Sequence, residues 1–338
     1  MKIIYFTDIH LLENEDSIPG FEMCMEAMLS YEPELMINGG DLGVTPEAVG
    51  TYYSMIEGLP VDVHLVNGNH EMCNGSLPRE DAGKFSRSFN HGGAHLIIFD
   101  VVRYFEPTEN HGLNWHVVAD EPNIEWLADD LSQVSHDTPL ILACHVSLST
   151  SFPFRFGSNM GAEFPTNEVA NGERVMKLLE PFGHVATLHG HDHENCRHRV
   201  GNIQILTTGA VAGNWWHNGL NSPNTDGAPQ GFRVINVDDE SGAITNRYVA
   251  FQAEQDFPGS LFVQEETGRG FVNVYDGSPE TKVSVDGVGE LQLIDPFDET
   301  SKRLPAHLYE LPSGLGPGKL EVEICFEDGP TGGIEIES

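Results

Sequence analysis

The chain has 338 residues, which suits one large domain plus a small one better than a single small core. No run of about 18 apolar residues suggests a membrane span, and the first ten residues lack the longer apolar stretch and small-residue cleavage site of a secretory leader. The net charge of -35 disfavours nonspecific binding to nucleic-acid polymers or anionic lipid, so the expected partner is a small molecule and the expected location cytoplasmic, with export left open.

Lys2 to Thr7 reads as a short buried strand that ends at Asp8-Ile9-His10. Residues 21–31 carry apolar side chains at helical spacing (Phe21, Met23, Met25, Met28, Leu29), and such a Met-rich stripe is read as core. Leu35-Met36-Ile37 gives a second strand ending in Gly39-Gly40-Asp41, and residues 47–57 a second helix. Val61 to Val66 leads into Asn67-Gly68-Asn69-His70-Glu71. Leu140 to Cys144 stops at His145. A helix over 172–181 precedes a strand at Val185 to Leu188, which runs into His189-Gly190-His191-Asp192-His193. Strands alternating with helices indicate an α/β domain, in which ligands sit beyond the carboxyl ends of the strands.

Segments 203–208, 232–237 and 246–251 read as strands that close this domain. Beyond about residue 257 the chain is punctuated by Gly and Pro and shows short alternating runs (271–275, 282–285, 320–326) with no helical pattern, as expected for a small β-sandwich. The division is therefore 1–256 and 257–338, with the boundary near Gln255 to Pro258. Five widely spaced cysteines (Cys24, Cys73, Cys144, Cys196, Cys325) with no CxxC pair read as reduced thiols. The acidic excess, with Arg outnumbering Lys, fits a salt-adapted source.

Five successive strand ends thus carry Asp, His or Asn: Asp8 and His10, Asp41, Asn69, His145, then His191 and His193. Any one of these is weak evidence. In order, they form a mixed nitrogen and oxygen donor set suited to two ions about 3.5–4 Å apart, able to clamp both the attacking and the leaving oxygen of a phosphate. Mn, Fe and Zn all suit such donors. His189 is the competing ligand if the His-rich turn is read in another register.

The motif series D-x-H, G-D, G-N-H-E, H, G-H-x-H resembles the calcineurin-like metallophosphoesterase superfamily over roughly residues 1–250. The resemblance implies a four-layer β-sandwich flanked by helices. It implies one metal at Asp8, His10, Asp41 and His193 and a second at Asp41, Asn69, His145 and His191, with Asp41 bridging. His70 is then the residue beside the substrate that binds phosphate or protonates the leaving oxygen. Glu71 orients His70 or its loop, the alternative being a surface carboxylate. The tail, with Ala306-His307-Leu308-Tyr309, Leu311-Pro312 and Pro317-Gly318, is similar to the C-terminal module of some bacterial members, as is Gly213-Asn214-Trp215-Trp216 to a loop of that subgroup. That subgroup is often exported, so the missing leader is a departure. Asp41 is followed by Leu42-Gly43-Val44-Thr45-Pro46, without the Asp-Arg-Gly that protein phosphatases carry shortly after the G-D motif, and Val44 stands where purple acid phosphatases place a Tyr.

The expected function is hydrolysis of a phosphodiester by hydroxide generated on the metals, because monoester dianions call for extra cations and this chain has few. The alternatives are a nucleotidase-like phosphomonoesterase and, in another class, a binding protein with a vestigial enzyme domain. Two long loops, 147–161 and 213–232, supply substrate-contact candidates: Arg155, the only cation in the first, and Asn214, Trp215, Trp216 and His217 in the second. Phe152, Phe154 and Phe156 wall a pocket or else serve core packing or a domain interface.

Overall fold

The structure is a computed structural model. It describes residues 1–12, 14, 16–77, 81, 83–107, 112–157, 165–217, 219–250, 259–265, 267–313, 319–327 and 331–337. The chain opens with β1 (Lys2–Phe6), α1 (Ser17–Leu29), β2 (Leu35–Asn38), α2 (Pro46–Ile56), β3 (Val63–Leu65) and the short α3 (Asn69–Cys73). There follow β4 (Arg87–His91), β5 (Ala94–Ile98), β6 (Val102–Tyr104), β7 (Trp115–Val117) and α4 (Glu121–Leu131). Then come β8 (Leu140–Ala143), α5 (Phe152–Phe156), α6 (Gly172–Leu179), β9 (Val185–His189), β10 (Cys196–Val200), β11 (Ile203–Thr207), β12 (Gly231–Val237) and β13 (Ile244–Ala250).

Two sheets stack face to face, with strand orders β13-β12-β1-β2-β3 and β10-β11-β9-β8-β5-β4. Successive strand residues point to opposite faces. Ile3 and Tyr5 of β1 therefore join Leu35 and Ile37 of β2, and Ile141, Ala143, Ala186 and Leu188 of the other sheet, in the core between the sheets. Ile4, Phe6 and Met36 face outward into a second core with Phe21, Cys24 and Met28 of α1 and Tyr52 of α2. Leu140 and Leu142 pack outward on the other side with Leu127 of α4 and Val175 and Leu179 of α6. Both faces of each sheet are covered, which is why the central strands read as unbroken apolar runs. The layers run helix, sheet, sheet, helix.

α1 starts earlier than periodicity suggests. Pro19 sits in its first turn, where backbone N–H groups have no intrahelical partner, so the ring costs nothing there. Met23 of the expected apolar stripe faces solvent at 44 % exposure, and Cys24 takes the buried position. α2 begins with the Thr45 side chain accepting from the Ala48 N–H and Pro46 in the first turn.

The second unit has β14 (Gly259–Gln264), β15 (Arg269–Val274), β16 (Lys282–Val285), β17 (Gly289–Glu290), β18 (Gln292–Leu293), β19 (Leu308–Glu310), β20 (Lys319–Cys325) and β21 (Thr331–Glu337). They form two four-stranded sheets, β14-β15-β19-β18 and β17-β16-β20-β21, closed over Val272, Val274, Val283, Val285, Tyr309, Val322 and Ile324. The expected boundary at 255–258 lies outside the described residues. All five cysteines are free. Among the described residues no helix is long and apolar enough to cross a membrane.

Candidate metal centre

The parallel strands β1, β2, β3, β8 and β9 all deliver their carboxyl ends to one rim of the sandwich. The chain leaves β1 and β2 together: the Asp8 N–H donates to Gly40 O (3.0 Å) and the His10 N–H to Asp41 O (3.0 Å). Asp8, His10, Asp41, His191 and His193 all have left-handed backbones, with φ of 54°, 43°, 56°, 69° and 50°. Each such residue costs about 1–3 kcal/mol, and such strain persists only where surrounding contacts enforce it.

Those contacts are explicit. Asp8 Oδ2 accepts from the His191 N–H (2.9 Å) and from Thr7 Oγ1 (2.7 Å), while Asp41 Oδ1 accepts from the His70 N–H (2.8 Å). Glu71 is buried, and its carboxylate accepts from the N–H groups of Gly68 (2.8 Å), Leu42 (2.8 Å) and Asp41 (3.1 Å), clamping the loops after β2 and β3 together. Burial and the nearby Asp41 raise its pKa to about 7. Glu71 is thus a buried loop clamp rather than a surface carboxylate.

With one oxygen of each aspartate satisfied, the other faces imidazole nitrogens. Asp8 Oδ1 lies 3.4 Å from His193 Nε2, 3.7 Å from His10 Nε2 and 4.0 Å from His145 Nε2. Asp41 Oδ2 lies 3.3 Å from His145 Nε2, 3.7 Å from His10 Nε2 and 3.9 Å from His70 Nε2. Asn69 Oδ1 sits 3.1 Å from His145 Nε2. Among the described residues, three groups have donor atoms mutually within 4.8 Å: Asp8, His10 and His193; His10, Asp41 and His70; Asp41, His145 and His191.

This donor set fits cations. Asp8 Oδ1 is buried with no hydrogen-bond partner, a costly state for an anionic oxygen unless a positive charge faces it. His145 Nδ1 donates to Gly39 O (2.8 Å) and His193 Nδ1 to Gly213 O (2.8 Å), which leaves both Nε2 atoms to face the carboxylates. Burial alone would lower the His145 pKa, but Asp41 and Asp8 lift it to about 10 in the metal-free chain, so a proton stands where a cation could. Burial lowers His10 to about 4 and His191 to about 3, keeping both rings neutral and able to ligate at neutral pH. Burial works against ionised Asp8, yet His145, His10 and His193 hold its pKa well below the usual carboxylate range.

The family model of calcineurin-like phosphoesterases matches residues 1–195, and that of the C terminal of calcineurin-like phosphoesterase matches residues 206–325. The chain belongs to the calcineurin-like phosphoesterase family.

That family is one of dimetal phosphoesterases, and the Asp and His clusters of this chain are consistent with a metal-dependent phosphoesterase. Among solved structures the phosphoesterase is similar to a dimetal phosphatase from Danio rerio, with a TM-score of 0.52 at 15% identity over 73% of this chain and 96% of that one. It is also similar to purple acid phosphatase PPD1 from yellow lupin (Lupinus luteus) seeds, with a TM-score of 0.50 at 15% identity over 75% of this chain and 52% of that one. At these identities the likeness is one of fold. No curated protein matches the chain.

The remaining candidates of the phosphoesterase divide. Trp215 stacks on the His10 ring (centroids 3.9 Å apart), lies 4.9 Å from His70 and is 37 % exposed, so it walls the centre. Trp216 is buried beneath, its Nε1–H donating to Ile9 O (3.0 Å), and is a core residue rather than a substrate contact. Asn214 and His217 are exposed on the same turn.

Arg155 requires correction as a substrate contact. It is buried, ion-paired with Glu194, and donates to Ser151 Oγ (3.0 Å) and Leu304 O (2.7 Å). A guanidinium held on three sides cannot reach a phosphate. Phe152 and Phe156 pack on Arg155 of their own helix, Phe156 remaining exposed, and Phe154 meets Lys302 of the second unit. His189 bonds to Cys144 O (3.1 Å) and Thr187 Oγ1 (2.8 Å) inside the sheet and does not join the centre. Asp192, between His191 and His193, is buried against Thr150 and Asn167. The carbonyls of Gly39 and Gly213, which orient two of the imidazoles, are functional groups that carry no side-chain signal in the sequence.

Proposed function

We propose that the protein hydrolyses phosphodiesters of small molecules. The residues that would hold two ions are Asp8, His10, Asp41 and His193 for one, and Asp41, Asn69, His145 and His191 for the other, with Asp41 shared. When bound, the two ions neutralise phosphate charge and supply an acidified water as nucleophile. Their identity, Mn, Fe or Zn, is set by availability as much as by these donors.

His70 supplies the proton for the leaving oxygen. Its backbone is tied to Asp41, its ring edge rests on His10 (centroids 4.5 Å apart), and its side chain is 21 % exposed with Nε2 3.9 Å from Asp41 Oδ2. Trp215 offers an apolar face beside it for an ester substituent.

The observation favouring a diester is the lack of protein cations. Among the described residues no Lys or Arg pairs with a carboxylate of the centre, and Arg155, Arg197 and Arg233 are engaged by Glu194 and Asp276. Arg79 lies outside the described residues. A monoanionic diester needs less compensation than a dianionic monoester, and the overall charge of -35 sharpens that difference.

The test is metal content per chain, with turnover of an aryl phosphodiester beside the matching monoester in Mn²⁺. Two ions and diester preference are expected. Monoester preference would refute the substrate class, and neither metal nor turnover would leave a binding protein. His70→Ala should keep its metals and lose most activity on substrates with poor leaving groups; equal loss on good and poor ones would remove the acid role.

A further inference from the structure

The second unit does more than sit beside the first. Consecutive residues 193–195, at the end of the His-rich turn, are each gripped by neighbouring loops, and the groups on Glu194 and Asn195 are in turn bonded to the C-terminal unit. His193 O accepts from the Thr225 N–H (3.1 Å) and Thr225 Oγ1 (2.7 Å). Glu194 is ion-paired with Arg155, whose Nη1 donates to Leu304 O (2.7 Å) and whose O accepts from the Arg303 N–H (3.0 Å). The Asn195 N–H donates to Asp226 Oδ2 (2.6 Å). The same Oδ2 accepts from His307 Nε2 (2.9 Å), and Asp226 O accepts from Asn273 Nδ2 (2.8 Å).

The side chains that carry these two relays are buried: Arg155, Glu194, Asn195, Asp226, Asn273 and His307 are all 3 % exposed or less. Buried polar groups interact strongly and are costly to leave unpaired, so the relays fix geometry rather than merely decorate it. What they fix is strained. His193 has φ of 50° and His191 has 69°, and a left-handed histidine stays so only when its neighbours over-determine it.

We propose that the C-terminal unit is a positioning part of the metal centre, acting through Asp226 with His307 and Asn273, and through Arg155 with Glu194, to hold His193 in ligating position. The proposal rests on the donor set assigned above but not on the substrate class. Asp226, His307, Asn273 and Arg155 are positioning residues: they touch neither metal nor substrate.

The test uses the full chain loaded with Mn²⁺. His307→Leu removes the donor to Asp226, and His307→Gln offers an amide N–H in its place. Metal stoichiometry, Mn²⁺ affinity by chelator competition, and melting temperature are measured for both. The expected result is at least a tenfold loss of affinity in one of the two sites for His307→Leu, with the other site unchanged and substantial recovery in His307→Gln. If His307→Leu does not fold, Asn273→Ala, which deletes only the Nδ2 donor to Asp226 O, carries the same expectation at a severalfold loss. Lower melting temperature with both affinities unchanged would overturn the proposal and leave plain domain docking. Failure of diester turnover in the unsubstituted protein would leave these affinity readouts intact, so the two ideas fail separately.

Discussion

Gly68→Ala is a sharp test of how closely the two metal loops approach. Gly68 lies just before Asn69 with an ordinary extended backbone (φ -97°, ψ 177°), a conformation alanine adopts freely, so the substitution introduces volume and no dihedral strain. An added Cβ would lie 2.1 Å from Asp41 Oδ1 and 2.5 Å from Asp41 N. Ordinary contact begins near 3.4 Å, so the carboxylate and the Asn69 loop must separate by about 1.3 Å (3.4 less 2.1). Asp41, the proposed shared ligand, cannot rotate away, because Oδ1 is bonded to the His70 N–H and the Asp41 N–H to Glu71. Overpacking of this kind costs about 1–3 kcal/mol in stability, and a misplacement near 1 Å costs on the order of 10²-fold in rate. The assay is kcat on an aryl diester with metal content per chain and melting temperature. Gly50→Ala is the control: nothing lies within 4 Å of its added Cβ, it sits inside α2, and it should gain about 0.5–1 kcal/mol with unchanged turnover. Gly68→Ala retaining both metals and a kcat within threefold of the unsubstituted protein would refute the close-approach reasoning.

The pH response of the metal-free protein is a second prediction. Because Asp41 and Asp8 raise His145 to about 10 while its unfolded value is near 6.5, its contribution is complete below pH 6.5 and is lost as pH rises toward 10. His193, raised by Asp8 against the effect of burial, adds in the same direction. His10 and His191, lowered by burial, are already neutral above pH 6.5 and drop out of that window. Thermal melts should therefore decline between pH 7 and 10 without metal and flatten once Mn²⁺ replaces the proton; parallel curves would sink the idea. Asp276→Asn should destabilise by about 3–5 kcal/mol in denaturant melts, because the carboxylate binds buried Arg233 (2.8 Å), faces Arg197 (3.5 Å) and accepts from the Tyr248 N–H (2.7 Å); a loss under about 1 kcal/mol contradicts it. Trp215→Gly relieves a φ of 60° and should raise KM for aryl diesters severalfold with little change in stability, whereas an unchanged KM would mean that Trp215 does not contact the substrate.

Much of the architecture was legible because its signals are local. A buried strand between two covered faces is a short apolar run, and the residue that follows it leaves the sheet, so apolar runs stopped by Asp8, Asp41, Asn69, His145 and His191 mark strand ends without any knowledge of neighbours. Residues 72–139 were harder. β4 and β5 are joined through Gly92 and Gly93, both with positive φ, and α4 is announced by Asp120, whose side chain accepts from the Asn123 N–H, and by Pro122 in the first turn. Those cap and turn signals could have placed both elements, but the apolar period in between is weak.

Trp215 and Trp216 show where sequence runs out. They are adjacent and chemically identical, yet one lines the centre and the other is core, because Gly20 of α1 leaves room for the Trp216 ring: a Cβ there would fall 2.4 Å from it. Arg155 likewise offers a lone cation in an active-site loop, and only the approach of Glu194 and Leu304 shows that its charge is already neutralised and its donors taken. The sequence by itself determined which residues could ligate and where along the chain they fall, since both follow from side-chain chemistry and strand periodicity over a few residues. Tertiary structure alone decided which polar groups are satisfied, which aromatics are exposed and how the C-terminal unit reaches the His-rich turn, because burial and ion pairing depend on residues tens to hundreds of positions apart.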